Sequence, residues 1–421
     1  MTRKIALIIL AILLVTAFLA FLLSRQSLEV FSNLKTISPY SDLTLNVDDS
    51  TEVHIKTFSG IAVNNLWLSY TDKIQKDGRT IDRSRNYLTT SEGQSYSLLR
   101  AVWMDDKAVF DRVLKWTNNN LKKRPDDKLF AWKWGQDADG KWDVLAEEGG
   151  INTASDADQD IALALIFAYK RWNDPYYEEF AKETLNDIWR QEVITIKGKH
   201  YLLAGNWAKT EEKPTINPSY FSFAAYPIFA EVNPENPWLK LRDDMYEVLN
   251  KATFENLDYS TSVGLPPDWV NVDPATGEII AVVHDDKTTD FSDDAFRVMW
   301  RVALDWKWHE NPKAAEYLKK VAFLNTEWEQ NGKIYSSYQH NGQRISDAES
   351  LSLYGGILPY FVVTSPKNAE DLYFSKIVPL YNQDTEDFRS DIGYYAQNWV
   401  WFGMAFYEDK LINLYEAIKT N

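Results

Sequence analysis

Three stretches of the chain place carboxylates where a helix is expected to begin. In Ala154-Ser155-Asp156-Ala157-Asp158-Gln159-Asp160-Ile161-Ala162, three acids alternate immediately before the apolar run Leu163-Ala164-Leu165-Ile166-Phe167-Ala168. Thr153 or Ser155 is positioned to cap that helix, and Ile161, Ala164, Leu165, Ala168 and Trp172 recur behind it at helical spacing. Ser91-Glu92-Gly93-Gln94-Ser95-Tyr96 has the S-x-x-Q spacing of a capping box, with Glu92 in the first turn. Ser292-Asp293-Asp294-Ala295-Phe296-Arg297 opens the third stretch. The positive end of a helix favours anions, so acids at such positions serve the backbone in many proteins and face a cleft in others. Seventeen tryptophans and 23 tyrosines accompany them. Sugars stack C–H faces on aromatic rings and hydrogen-bond their hydroxyls to polar groups. Carboxylates beside aromatic platforms therefore point to carbohydrate chemistry.

The run from Ala154 to Trp172 fits the pattern A-[ST]-D-[AG]-D, two free positions, Ile-Ala and a small and apolar helix ending in an aromatic residue. Around it stand Gly78-Arg79 with Asp82, Ser91-Glu92-Gly93, Ala131-Trp132-Lys133, Asn217-Pro218-Ser219-Tyr220-Phe221, Pro267-Asp268-Trp269, and Asp294-Ala295 with Arg297, Trp300 and Arg301. In these motifs, from about residue 57 to the C-terminus, the chain resembles glycoside hydrolase family 8, the inverting endoglucanases, chitosanases and xylanases built as (α/α)6 barrels. The resemblance implies an all-α (α/α)6 barrel, with Glu92 as general acid and Asp294 as the general base that activates water. It also implies Asp156 as a catalytic-centre residue that binds the sugar at the cleavage position. The chain departs from the family pattern at Asp293, where members usually carry an aromatic residue, often Tyr.

Hydrolysis of a glycosidic bond needs one protonated acid beside the leaving oxygen and one ionised carboxylate on the other face of the sugar. Glu92 reaches far enough to protonate an exocyclic oxygen, and partial burial or a nearby carboxylate such as Asp156 would keep such an acid neutral. Arg297, one turn after Asp294, can hold the base ionised. Inversion follows if acid and base stand about 6.5 to 9.5 Å apart. Asp158 and Asp160 are expected to cap the helix or pair with Arg or Lys. A calcium loop counted from Asp156 would need Gly and Glu where Ile161 and Phe167 stand, and Asp137-Ala138-Asp139-Gly140 meets Lys141 at its next ligand position. Expected substrate contacts are Tyr96, Trp132, Trp207, Tyr220, Arg297 and Tyr395. His54, His200, His284, His309 and His340 lack zinc spacing, and there is no G-x-S-x-G, P-loop or dinucleotide glycine motif. No metal or cofactor is expected.

These side chains must be positioned by helices. About a dozen segments carry helical patterning: Ala62–Ile74, Ser91–Met104, Ala108–Leu121, Asp158–Trp172, Tyr176–Arg190, Ser219–Ala230, Trp238–Ala252, Asp294–Trp306, Ala314–Glu329, Asp347–Tyr360, Asn368–Leu380 and Gln397–Ile418. Breakers such as Asn173-Asp174-Pro175 and Asn311-Pro312 separate them, as in helix pairs joined by short turns. Residues 128–144 and 259–289 read as long irregular or hairpin-containing loops. With 421 residues and 45% hydrophobic content the chain can bury one large core. The net charge of −16 argues against nucleic acid or anionic phosphate polymers as partners, since a polyanion is repelled on approach. The absence of cysteine excludes disulfides and thiolate metal sites.

Ile5 to Leu23 carries no charge and as a helix spans roughly 28 Å, the thickness of a bilayer core. It ends without a small-x-small cleavage site, which favours an uncleaved signal-anchor over a secreted form. Arg3 and Lys4 against the single Arg25 put the short N-terminus in the cytoplasm and the rest of the chain outside. The expected organisation is a cytoplasmic tail (1–4), a transmembrane helix (5–23), a spacer (24–56) with one short strand at Leu43–Val47, and a catalytic domain (57–421). The expected function is a membrane-anchored, inverting endo-glycosidase that hydrolyses a β-1,4-linked polysaccharide, a cellulose-like β-glucan first, in exopolysaccharide processing. The alternatives are a chitosanase or xylanase of the same family, or a catalytically lapsed glycan-binding subunit. Expected partners are the polysaccharide, the membrane and a polysaccharide synthesis or export complex.

Overall fold

The computed structural model describes residues 49–210, 212–257, 261–282 and 287–418. The expected membrane-spanning run and the strand at Leu43–Val47 lie outside these residues, among which no helix is long and apolar enough to cross a membrane. The compact unit Ser59–Asn421 contains the elements that build the site.

Helices follow one another in pairs. α1 (Asp49–Lys73) leads to α2 (Ser91–Trp103), α3 (Lys107–Asn120) to α4 (Ser155–Trp172), and α5 (Pro175–Glu192) to the 3-10 turn Pro218–Tyr220 and α6 (Tyr226–Val232). α7 (Trp238–Phe254) leads to α8 (Arg297–His309), and α9 (Pro312–Lys320) with α10 (Phe323–Asn331) to α11 (Leu351–Thr364). α12 (Pro366–Leu372) leads to α13 (Gly393–Tyr407), and α14 (Leu414–Ala417) follows. The second member of each pair is the buried one. In α4 every residue from Ser155 to Ala168 is buried, and α8 is buried from Arg297 to Asp305. Their first-member neighbours are amphipathic: α3 buries Val109, Phe110, Val113, Leu114, Trp116 and Thr117 and exposes Lys107 and Lys115. The buried segments touch in ring order, α2 on α4, α4 on the Pro218–Tyr220 turn, that turn on α8, α8 on α11, α11 on α13, and α13 back on α2. Inner ring and outer helices are the layering of the all-α barrel expected from the sequence.

Glycine sets the tightest crossing in this ring. A Cβ on Gly355 of α11 would stand 2.2 Å from the Trp399 carbonyl oxygen of α13, and one on Gly403 would stand 2.3 Å from the Gly355 carbonyl oxygen. No larger residue leaves the two backbones room to meet.

Short antiparallel strands brace the loops that lead into the inner helices. β1 (Thr89–Thr90), β2 (Lys133–Gln136) and β3 (Trp142–Val144) form one sheet in that order, with Trp134 opposite Val144. β4 (Val193–Ile196) and β5 (Lys199–Leu202) form a hairpin, and β6 (Thr215–Ile216), β7 (Val270–Val272) and β8 (Ile279–Ala281) a second three-stranded sheet. β9 (Tyr381–Asn382) pairs with β10 (Asp387–Phe388).

Most helix boundaries depart from expectation for reasons visible in the chain. α1 begins at Asp49, ahead of the expected start at Ala62. Asp106, Asp174, Asn311 and Ser350 each cap a first turn with their side chains, which moves those starts to Lys107, Pro175, Pro312 and Leu351. The single helix expected over Ala314–Glu329 breaks at Val321-Ala322 into α9 and α10, and Ser219–Ala230 is a 3-10 turn followed by the shorter α6. Asn368–Leu380 continues past α12 as a π turn and a 3-10 turn, and Gln397–Ile418 divides into α13 and α14.

Candidate active site

The loops that enter the inner helices converge on one buried cation, the guanidinium of Arg297. Glu92 is the second residue of α2. The cap of that helix is Thr90, whose Oγ1 accepts the Gly93 N–H at 3.1 Å, and not Ser91 as the capping-box spacing suggests. Gln94 is turned inward, donating to Gly78 O (3.2 Å) and Thr117 Oγ1 (2.9 Å) and accepting the Thr80 N–H (2.7 Å). Gly93 leaves the start of α2 bare: a Cβ there would lie 3.3 Å from the ring of Tyr394. Tyr394 rests in that space and donates its hydroxyl to Glu92 Oε1 at 2.8 Å.

Asp156 lies buried in the first turn of α4. The residue at the cap position is Ala154, which has no side-chain acceptor, so the expected cap by Thr153 or Ser155 does not form. Both hydroxyls are spent elsewhere: Ser155 Oγ donates to Leu203 O at 2.6 Å and Thr153 Oγ1 to Glu192 Oε1 at 2.5 Å. Asp156 Oδ1 accepts the Ala157 N–H at 2.8 Å. Of the two acids that follow, Asp160 pairs with Arg301 through both oxygens (2.5 and 2.8 Å), as the sequence suggests. Asp158 finds neither Arg nor Lys. It accepts the Phe130 N–H at 3.1 Å and meets the Glu192 carboxyl.

Asp294 stands in a turn ahead of α8, which begins at Arg297 rather than at Asp294. That turn is organised by Asp268, a residue whose role the sequence did not reveal. One carboxylate accepts the N–H groups of Ser292 (3.1 Å), Asp294 (3.2 Å) and Ala295 (2.7 Å), together with the Ser292 hydroxyl. Burial, reinforced by the charge of Asp294, pushes the Asp268 carboxyl up to about 7 against the pull of these donors.

Arg297 ties the three acids together. Nη1 donates to Glu92 Oε2 at 3.0 Å and to Asp156 Oδ2 at 3.2 Å, and Nη2 donates to Asp294 Oδ1. The side chains of Arg297 and Asp156 are 1% and 3% exposed, whereas Glu92 and Asp294 retain 21% and 28% and are the more open of the three acids. One cation cannot neutralise three carboxylates. Asp156 takes the strain: burial pushes it up to about 7, with Arg297 opposing and the charge of Glu92 adding to the rise.

The expected aromatic contacts divide. Tyr220 lies with its ring 5.2 Å from the Arg297 guanidinium and edge-on to Trp269 at 5.9 Å. Tyr395 donates its hydroxyl to the Asp293 carbonyl at 2.8 Å, and so braces the turn of Asp294 from the α13 side. Trp207 and Trp269 share the ammonium of Lys287, at 5.1 and 5.4 Å. Trp132 is half-buried and fixed by its indole N–H to Gly149 O at 3.0 Å. Tyr96 is a different case. It is buried in the ring core, edge-on to Trp399 and Phe402 at 5.7 and 5.4 Å, and supports the site from beneath. Tyr394 was missed because nothing in sequence separates it from its neighbour Tyr395. Asp268 sits in Pro267-Asp268-Trp269, a motif that signals importance without naming a task. Among the described residues no cluster of His, Asp or Glu is suited to hold a metal ion.

The chain is similar to known endoglucanases. An endoglucanase of Xanthomonas axonopodis pv. citri (strain 306) is 36% identical over 253 residues, 57% of this chain and 60% of that protein. The chain thus spans less than two thirds of that relative's length. An endoglucanase of Escherichia coli (strain K12) is 33% identical over 266 residues, 62% of this chain and 67% of that protein. The crystal structure of the endo-1,4-D-glucanase from Vibrio fischeri ES114 superposes with a TM-score of 0.66 at 26% identity, covering 82% of this chain and 94% of that one. The sequence model of glycosyl hydrolases family 8 matches residues 53–352, and the chain belongs to that family.

Proposed function

We propose that this protein hydrolyses a β-1,4-linked glucan at internal bonds by single displacement with inversion. The observation that carries the reading is the guanidinium of Arg297, which holds Glu92 and Asp156 at one nitrogen and Asp294 at the other. In this mechanism Glu92 gives its proton to the leaving oxygen, and Asp294 takes a proton from the water that attacks the anomeric carbon from the opposite face. Asp156 hydrogen-bonds the sugar at the cleavage position. Single displacement needs a water between base and sugar, and hence acid and base about 6.5 to 9.5 Å apart, where direct attack by the carboxylate would need about 5 Å. Tyr394 steadies the acid, Tyr395 and Asp268 steady the turn of the base, and Tyr220, Trp132 and Trp207 offer faces for neighbouring sugar rings.

The endo-1,4-glucanase named among the similar structures supports a cellulose-like polymer as first substrate. A second reading is favoured by Asp293, an exposed acid beside Asp294 that would suit a polymer bearing ammonium groups, such as chitosan. The intact set of three acids and one arginine favours an enzyme over a lapsed glycan-binding subunit. The charge-free run Ile5–Leu23 supports a signal-anchor that holds the domain outside the cell, where trimming of an exopolysaccharide beside its synthesis or export complex is the corresponding role. A panel of carboxymethyl-cellulose, lichenan, xylan and chitosan tests the reading. Viscosity of the β-1,4-glucan should fall well before reducing ends accumulate, whereas no cleavage of any of the four would defeat it.

A further inference from the structure

Asp158 and Glu192 are fully buried acids that the proposed chemistry does not use. Asp158 belongs to the first turn of α4, two residues beyond Asp156, and Glu192 is the last residue of α5. Each carboxyl has one oxygen supplied by a donor: Asp158 Oδ1 by the Phe130 N–H at 3.1 Å and Glu192 Oε1 by the Thr153 hydroxyl at 2.5 Å. The other two, Asp158 Oδ2 and Glu192 Oε2, have no N–H or O–H donor. Yet the two side chains are in hydrogen-bonding contact with each other. Two carboxylate oxygens cannot bond without a proton between them.

The charged neighbours do not remove that need. Asp127 and Asp156 add negative charge to the surroundings, and Arg124 is the cation that faces the pair. Arg124 is already committed: its Nε and Nη2 donate to Asp127 at 2.9 and 2.7 Å, and its Nη1 to Ile151 O at 2.8 Å. A buried acid pair without a cation of its own keeps a proton instead.

We propose that Asp158 and Glu192 share a proton and act as a clamp that positions Asp156, so that loss of this proton loosens the cleavage site. The path is short. Glu192 holds the Thr153 hydroxyl, Thr153 Oγ1 accepts the Asn206 N–H at 2.9 Å, and Asn206 Oδ1 accepts the Thr153 N–H at 2.8 Å. Thr153 leads directly into α4 and Asp156, and Asn206 precedes Trp207 in the same 3-10 turn. The clamp therefore joins α5, the start of α4 and the loop of one candidate sugar platform. Burial, with the charge of Asp156 adding to it, raises Glu192 from 4.5 to about 8, and burial with Glu192 raises Asp158. For an acid raised in the folded state, the fold binds the proton that the unfolded chain has released. Stability then falls as pH rises from the ordinary value to the raised one and levels off above it.

The role as a positioning pair rests on the proposed function; the shared proton does not. The experiment measures Tm from pH 5 to pH 9 for wild type, E192Q, D158N and E192A, with calcium chloride or EDTA added, and kcat and KM at pH 7. Wild-type Tm should fall through the window, and E192Q, which replaces the shared proton by an amide N–H, should lose about one proton from that slope. D158N repeats the test from the other side should E192Q not fold. E192Q should keep kcat/KM within about threefold while E192A loses more than about tenfold, as misplacement of a bound group predicts. A slope in E192Q and D158N equal to wild type overturns the shared proton. So does a rise of wild-type Tm with calcium and a drop with EDTA, which would put a cation between the acids. Equal activity loss in E192Q and E192A overturns the clamp. Absence of any glycan cleavage with the predicted Tm slopes would remove the catalytic reading and leave the proton pair standing.

Discussion

Arg297 Nη1 lies 3.0 Å from Glu92 Oε2, joining residues 205 positions apart in the chain and placing a buried, permanent positive charge against the proposed acid. The same nitrogen reaches Asp156, and the second nitrogen reaches Asp294. A single rigid fork therefore sets the mutual positions of all three acids.

That geometry makes lysine a poor substitute. An ammonium is one point of charge and cannot serve acids at two ends of a planar group. Arg297→Lys is expected to lower kcat by more than about 100-fold with a smaller change in KM, since what is lost is alignment of acid and base. Steady-state kinetics on a soluble cello-oligosaccharide measures it, and kcat within a few-fold of wild type would show that the fork is not required.

Asp268 gathers four donors from Ser292, Asp294 and Ala295, so its removal leaves several buried polar groups unpaired. Asp268→Ala should cost about 2–4 kcal/mol in urea unfolding, in keeping with the loss of a buried multi-donor carboxylate. It should also lower kcat, because the turn that carries Asp294 loses its organiser. Unchanged kcat in a destabilised variant would confine Asp268 to the fold.

Asp293 and Asp294 are adjacent acids that sequence alone does not separate. In the fold Asp294 is half-buried and bonded to Arg297, while Asp293 is exposed and contributes its backbone carbonyl to Tyr395. Asp294→Asn should reduce kcat by at least about 1000-fold, and Asp293→Asn by less than about fivefold, the first being the range for loss of a general base. The reverse ranking would transfer the role of base to Asp293.

The inner helices were legible because burial on both faces writes a dense apolar pattern, most clearly after Asp160, and the acids were legible because they break that pattern at its start. Asp156, Glu92 and Asp294 stand in motifs whose order survives in sequence, and Arg297 is one turn from Asp294. The caps were not legible in the same way. Ser91 and Thr90 are equally good acceptors, and only the pairing of β1 with β2 decides that Thr90 turns its side chain to Gly93. Thr153 and Ser155 look like caps until Glu192 and Leu203, remote in sequence, claim their hydroxyls. Partners that arrive from elsewhere in the chain, such as Tyr394 for Glu92 and Asp268 for Asp294, leave no local trace. The same holds for Asp158, which reads as an acid in search of a cation and is instead paired with another acid.

The most direct measurement is the configuration of the first sugar released from a β-1,4-gluco-oligosaccharide, followed by proton NMR before mutarotation, with Glu92→Gln as control. The α-anomer should appear first with wild type, and Glu92→Gln should lower the rate by about 100- to 10,000-fold while the domain stays folded. Release of the β-anomer would rule out inversion, and full activity in Glu92→Gln would rule out Glu92 as the acid.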